Sequence, residues 1–143
     1  MSALAANDAN AVVVLVVEDE IWVRLDVASC LEDAGYAVVE ASTGEAAIAL
    51  CNSATSIDML ITDINLGGSA SGWDVADHFH SSRPDVRVVY TSEKSADPGR
   101  CVAGSVFVSK PYRHSDILDV CQRLTDGRSA PRPISRRAKN STD

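Results

Sequence analysis

The chain is short of positive charge. Its 143 residues hold 13 Lys and Arg against 20 Asp and Glu, a net charge of −7 with neutral histidines. Binding to nucleic acid or to an anionic membrane starts from a basic surface, so both functions are set aside. Long apolar runs are missing as well. The longest, residues 11–17, is strand-sized, far below the roughly 18 residues of a membrane span. Residues 1–10 lack the basic start and long apolar stretch of a secretory signal and read as an N-terminal extension of a cytoplasmic protein. Cys30, Cys51, Cys101 and Cys121 contain no Cys-x-x-Cys pair and no histidine at metal-ligand spacing, which predicts reduced, mostly buried thiols rather than a zinc site.

The charge is also unevenly spread. Residues 1–124 carry 8 basic and 18 acidic side chains, whereas residues 125–143 carry 5 basic and 2 acidic ones with two prolines and few apolar residues. A segment of that composition cannot bury a core and is expected to be a disordered basic tail. Residues 11–124 then form one domain, large enough to bury a core without disulfides or a structural metal.

Within that domain, short runs of Val, Ile and Leu alternate with segments of helical period, the pattern of an α/β fold with a parallel sheet. Strands are predicted over residues 12–17, 37–41, 58–62, 86–90 and 106–109. The first does not alternate and should be buried on both faces. A helix over residues 20–34 has Val23, Val27, Cys30, Leu31 and Ala34 on one stripe, and Gly35 ends it. Ser42 and Glu45 fit a capping box for a helix over 43–52, Ser71 can cap a helix over 72–82, and a last helix spans 115–124. Between strands four and five, Asp97, Pro98 and Gly99 leave room only for a short or irregular fourth helix. Trp22 and Trp73 are expected to be half-buried packing residues, and His78, His80 and His114 to lie on the surface.

Four of the five strands run into polar residues: Glu18-Asp19-Glu20 after the first, Asp63 after the third, Thr91 after the fourth and Lys110 after the fifth. In an open parallel sheet, sites form at the carboxyl ends of the strands. With strand order 2-1-3-4-5 those four strands are adjacent and their endings converge. Two carboxylates about 4 Å apart repel by about 4 kcal/mol at an effective dielectric of 20, so Glu18, Asp19 and Asp63 together call for a cation. An all-oxygen donor set suits Mg²⁺, or Mn²⁺, better than zinc. A carboxylate beside such an ion can attack phosphorus, Thr91 can donate to a phosphoryl oxygen, and Lys110 can neutralise another.

These residues, in this order and spacing over about residues 11–124, resemble the receiver domain of two-component response regulators. The resemblance implies a flavodoxin-like (βα)5 three-layer fold and phosphorylation of Asp63 by the phosphohistidine of a sensor histidine kinase or a histidine phosphotransfer protein. It further implies Mg²⁺ held by Asp19, Asp63 and the carbonyl of Asn65, with Glu18 acting mostly through a bound water. Thr91 and Phe107 match the family's switch pair, and Lys110–Pro111 is the position of a cis peptide. The Phe107-x-x-Lys110-Pro111-Tyr112 ending resembles a subgroup of free-standing bacterial receivers with a reduced fourth helix.

Three features depart from the family pattern. The loop after Asp63 is slightly long and lacks the usual proline, position 107 is Phe where Tyr is frequent, and the fourth helix is shortened. With no output module expected after residue 124, the resemblance implies a single-domain, cytoplasmic phosphoprotein, a monomer or weak dimer. It would catalyse only its own phosphorylation and dephosphorylation, and would signal to a downstream target protein or serve as a phosphate sink. Asn65 and Glu93 occupy positions that in relatives tune hydrolysis of the acyl phosphate, which predicts rapid self-dephosphorylation. Two alternatives are weaker. A phosphatase or phosphotransferase of the haloacid dehalogenase type needs a second Asp where Asn65 stands, and a non-phosphorylated pseudo-receiver would not need the full acidic set with Thr91 and Lys110.

Overall fold

The computed structural model describes residues 10–95 and 97–125. The elements are β1 (Val13–Val17), α1 (Ile21–Asp33), β2 (Ala37–Ala41), α2 (Gly44–Cys51), β3 (Met59–Asp63), α3 (Gly72–Ser82), β4 (Arg87–Ser92), β5 (Val106–Ser109) and α4 (His114–Thr125). The five strands form one parallel sheet in the order β2-β1-β3-β4-β5, so the fold is flavodoxin-like. No helix among the described residues is long and apolar enough to cross a membrane.

Side chains alternate across a strand, and the alternation divides the core in two. Leu15, Val17, Leu60, Val88 and Tyr90 face Ala47 and Cys51 of α2 and Val75, Ala76 and Phe79 of α3. Val14, Val16, Met59, Ile61 and Val89 face Val27 and Leu31 of α1 and Ile117, Val120, Cys121 and Leu124 of α4. Two helices therefore cover each face of a sheet whose central strands are buried on both sides. Cys30, Cys51 and Cys121 are buried and Cys101 is half-buried, all as free thiols.

Several expectations are corrected. Thr43, not Ser42, caps α2, its Oγ1 accepting from the Ala46 N–H at 3.0 Å, and Glu45 turns away from the helix to the loop after β3. The true capping box is Ser71 with Asp74 at the start of α3. Both pairings satisfy the spacing of polar residues at a helix start, and only tertiary neighbours distinguish them. Trp73 is half-buried, but Trp22, at the start of α1, is 73% exposed. α4 continues through Thr125, whose buried hydroxyl donates to the Cys121 carbonyl at 3.0 Å, so the helix takes in the first residue assigned to the tail. The rest of that tail and residues 1–9 lie outside the described residues.

The expected fourth helix does not form among the described residues between β4 and β5. Residues 98–100 make a turn in which the Asp97 carbonyl accepts from Arg100 N–H at 2.9 Å and its Oδ1 accepts from Gly99 N–H at 3.0 Å. Pro98 cannot donate to a helical ladder, and Gly104 stands at φ +79°. Side chains hold the segment instead. Arg100 lies over the Trp73 ring at 5.2 Å, Trp73 packs on Tyr90 at 4.9 Å, and Cys101 and Val102 rest on the α2/α3 side of the core.

Candidate functional site

The parallel register brings the polar strand endings together. Asp63 is the last residue of β3 and pairs with Thr91, so both belong to their strands rather than following them. The ladder continues one step beyond, with Ile64 N–H donating to the Thr91 carbonyl at 2.9 Å. Lys110 follows β5, its N–H bound to the Ser92 carbonyl at 2.8 Å, and the Lys110–Pro111 peptide is cis, as the resemblance implied. Glu18 leaves β1 with its N–H on the Ala41 carbonyl at 3.1 Å, and Glu20 caps α1.

The side chains converge on Lys110. Its Nζ donates to Glu18 Oε1 at 3.0 Å and to Asp63 Oδ2 at 3.1 Å. Asp63 Oδ1 accepts from Asn65 N–H at 3.3 Å, Glu18 Oε2 from Glu20 N–H at 3.2 Å, and Asp19 Oδ2 from Gly67 N–H at 3.2 Å. Glu18 and Asp63 are buried, 4% and 7% exposed, while Asp19 is open to solvent. One oxygen from each of Glu18, Asp19 and Asp63 lies within 4.8 Å of the others. Lys110 thus pairs with two of the three carboxylates, and the excess negative charge suits a hard divalent cation bound through oxygen.

Burial and pairing shift these groups in ways that agree with this arrangement. Burial pushes the Glu18 carboxyl above its ordinary value, against the hydrogen bonds from Lys110 and Glu20 N–H, and the charge of Asp63 adds to the rise. Burial alone would lower the Lys110 ammonium, but its bonds to Glu18 and Asp63 outweigh that and raise it. Burial also pushes the Tyr112 hydroxyl up to about 12.

Of the other predicted residues, Thr91 is buried in the strand beside Asp63. Phe107 is half-buried on the α2/α3 side, opposite Tyr90 on the neighbouring strand. Asn65 and Glu93 are exposed and line a cavity of about 970 Å³ that opens from the carboxylates towards α1 and Tyr112. Gly72 lets α3 begin against this site: a Cβ there would stand 2.2 Å from the Asp63 carbonyl oxygen.

Two supports were missed in the sequence. Arg24 Nη1 donates to the Glu18 carbonyl at 2.9 Å while Nε pairs with Glu40 at 3.0 Å, steadying the turn after β1. Glu18 lies 6 and Glu40 16 residues from Arg24, spacings that no local pattern marks. Glu45 did carry a signal, its spacing from Ser42, but the carboxylate serves the loop after β3.

A doubly wound sheet with acids at the ends of β1 and β3 and a lysine after β5 defines a receiver. The family model for the response regulator receiver domain matches residues 14–122, and the chain belongs to that family. Among relatives, the transcriptional regulatory protein PdtaR of Mycobacterium tuberculosis is 32% identical over 119 residues, covering 78% of this chain and 57% of that protein. The chain therefore spans little more than half the length of this curated relative. A response regulator receiver protein from Sinorhizobium medicae is 31% identical with a TM-score of 0.78, the match covering 82% of this chain and 96% of that one. The response regulator TrrA of Thermotoga maritima, solved in complex with Mg²⁺ and BeF, shares the fold at a TM-score of 0.72 and 24% identity, covering 79% of this chain and 98% of that one.

Proposed function

We propose that this receiver accepts a phosphoryl group on Asp63 from a phosphohistidine in a Mg²⁺-dependent reaction. The observation that carries the proposal is the bridge from Lys110 Nζ to both Glu18 and Asp63 inside a three-carboxylate cluster. Asp19, Asp63 and the Asn65 carbonyl would hold the cation directly, and Glu18 through water. When bound, it supplies a positive charge that draws the phosphoryl oxygens towards the carboxylate.

The chain's own residues supply the rest. An Asp63 carboxylate oxygen forms the new bond to phosphorus as the phosphorus–nitrogen bond breaks, and the histidine leaves as neutral imidazole after taking up a proton. Lys110 remains beside Asp63 to neutralise a phosphoryl oxygen, and the Thr91 hydroxyl donates to another. The modification replaces the single charge of the Asp63 carboxylate with the roughly −2 of an acyl phosphate, a net gain of about one negative charge next to β4, and biases a pre-existing equilibrium that involves Thr91 and Phe107. A downstream protein that prefers one state reads the signal, or the chain serves as a phosphate sink.

The donor is a sensor histidine kinase or a histidine phosphotransfer protein. In support, α1 carries three exposed apolar side chains, Ile21, Trp22 and Leu25 at 48%, 73% and 42% exposed, and Trp22 lines the cavity that reaches Asp63. Acetyl phosphate with Mg²⁺, followed by intact-mass measurement, tests the proposal. The wild type should gain one phosphoryl group and Asp63→Asn none; an unmodified wild type under conditions that label another receiver would overturn it.

A further inference from the structure

The loop between β3 and α3 carries the Asn65 carbonyl and the Gly67 N–H that binds Asp19, yet it has no proline and contains Gly67 and Gly68, the latter at φ +130°. Such a sequence has many conformations to lose on ordering. Its far end is closed by Gly72 N–H donating to the Ile64 carbonyl at 2.8 Å, and the stretch just before is held by Glu45. Its Oε2 accepts from Ser69 N–H at 3.0 Å, from Ala70 N–H at 3.2 Å and from the Ser69 hydroxyl. The near end is tied by Asn65 N–H to Asp63 and the middle by Gly67 N–H to Asp19.

The fold frees Glu45 for this task. Thr43 caps α2, so the carboxylate is not consumed at the helix start. Gly44 lets the helix come against the loop, since a Cβ there would stand 2.5 Å from the Ala70 carbonyl oxygen. Hydrogen bonds, led by that of the Ser69 hydroxyl, hold the Glu45 carboxyl below its ordinary value, so the loop donors face a charged acceptor at neutral pH.

We infer that Glu45 is a positioning residue for the phosphoacceptor site: by clamping Ser69 and Ala70 it presets the loop that presents the Asn65 carbonyl and orients Asp19 for the divalent cation. The inference rests on the proposed cation-dependent function. Glu45 itself is exposed and makes its loop contacts at Ser69 and Ala70, beyond the proposed ligands.

Two measurements on the full chain test it: Mg²⁺ affinity by calorimetry, and amide hydrogen exchange of residues 64–71 without metal. In Glu45→Ala the exchange should quicken and the Mg²⁺ dissociation constant should rise about tenfold, the scale of losing a group that orients metal ligands. The Mg²⁺ concentration for half-maximal phosphorylation should rise by the same factor, with the saturated rate preserved. Ser69→Ala, which removes one of the three donors, should fall between. Unchanged exchange and affinity in Glu45→Ala overturn the clamp, as does a slowed reaction that saturating Mg²⁺ does not restore. A wild type that neither binds Mg²⁺ nor takes up phosphate overturns the proposed function instead.

Discussion

The Tyr90 hydroxyl accepts a hydrogen bond from the Val102 N–H at 3.1 Å, tying the strand that carries Thr91 to the segment before β5. Tyr90 is fully buried, and its ring also meets Trp73, over which Arg100 lies. One side chain thus anchors the segment between β4 and β5, where no helix forms among the described residues. Phe107 is the cross-strand neighbour of Tyr90, so the anchor adjoins both members of the proposed switch pair.

Tyr90→Phe removes that hydrogen bond while keeping the ring. Stability should fall by about 1 kcal/mol in urea unfolding, the usual worth of one such bond. Hydrogen exchange should quicken over residues 97–105 and stay unchanged in β1 and β3. Uniform quickening across the sheet would show that the bond does not act locally.

Lys110→Met leaves Glu18 and Asp63 facing each other without their cation. Below millimolar Mg²⁺ the variant should be less stable than wild type by about 1–3 kcal/mol at neutral pH, because two buried carboxylates lose their partner. Adding Mg²⁺ should stabilise the variant more than the wild type. Equal stabilisation of both would place the ion away from these carboxylates.

The alkaline limb of stability has a defined sign. Tyr112 is held neutral in the folded state up to about 12, whereas in the unfolded chain it ionises near its ordinary value of 10. As pH rises from 10 to 12 the unfolded state alone releases this proton, so stability is lost, by about 2 kcal/mol at most. Lys110 acts in the same direction: its raised value means its ion pairs are fully present below 10.5 and lost as pH climbs through the folded value. Tyr112→Phe should flatten the limb between pH 10 and 12 without removing the Lys110 part, as read from denaturant midpoints.

Asn65 and Glu93 are exposed and line the cavity beside Asp63, where water would reach the proposed acyl phosphate. Phosphorylated protein should lose its label within minutes at neutral pH with Mg²⁺, and Glu93→Ala should lengthen the half-life severalfold in a time course of intact mass. An acyl phosphate lasting many hours in the wild type contradicts this role.

Local pattern alone was enough for the sheet. Short runs rich in Val, Ile and Leu marked the strands, and the ranges 37–41 and 106–109 agree with the edge strands β2 and β5 residue for residue. The acids at the ends of β1 and β3 and the lysine after β5 were legible because a strand end is marked by the change from apolar to charged residues. The strands carrying Asp63 and Thr91 run slightly further than expected, since pairing with each other, not hydrophobicity, sets where they stop.

The sequence by itself determined the strand order's raw material, the helix faces and the identity of the acidic site, because these follow from periodicity and from residues at strand ends. Tertiary structure alone decided which carboxylates serve which partners. Ser42 and Glu45 have the spacing of a capping box, yet Thr43 caps the helix and Glu45 reaches Ser69 and Ala70. Pro98 and Gly99 told only that a regular helix would be difficult, and the segment's anchorage on Tyr90, Trp73 and Arg100 arises from contacts between side chains distant in the chain. A hydrogen-bonding side chain takes the partner that folding brings within 3 Å, and spacing along the chain does not specify that distance.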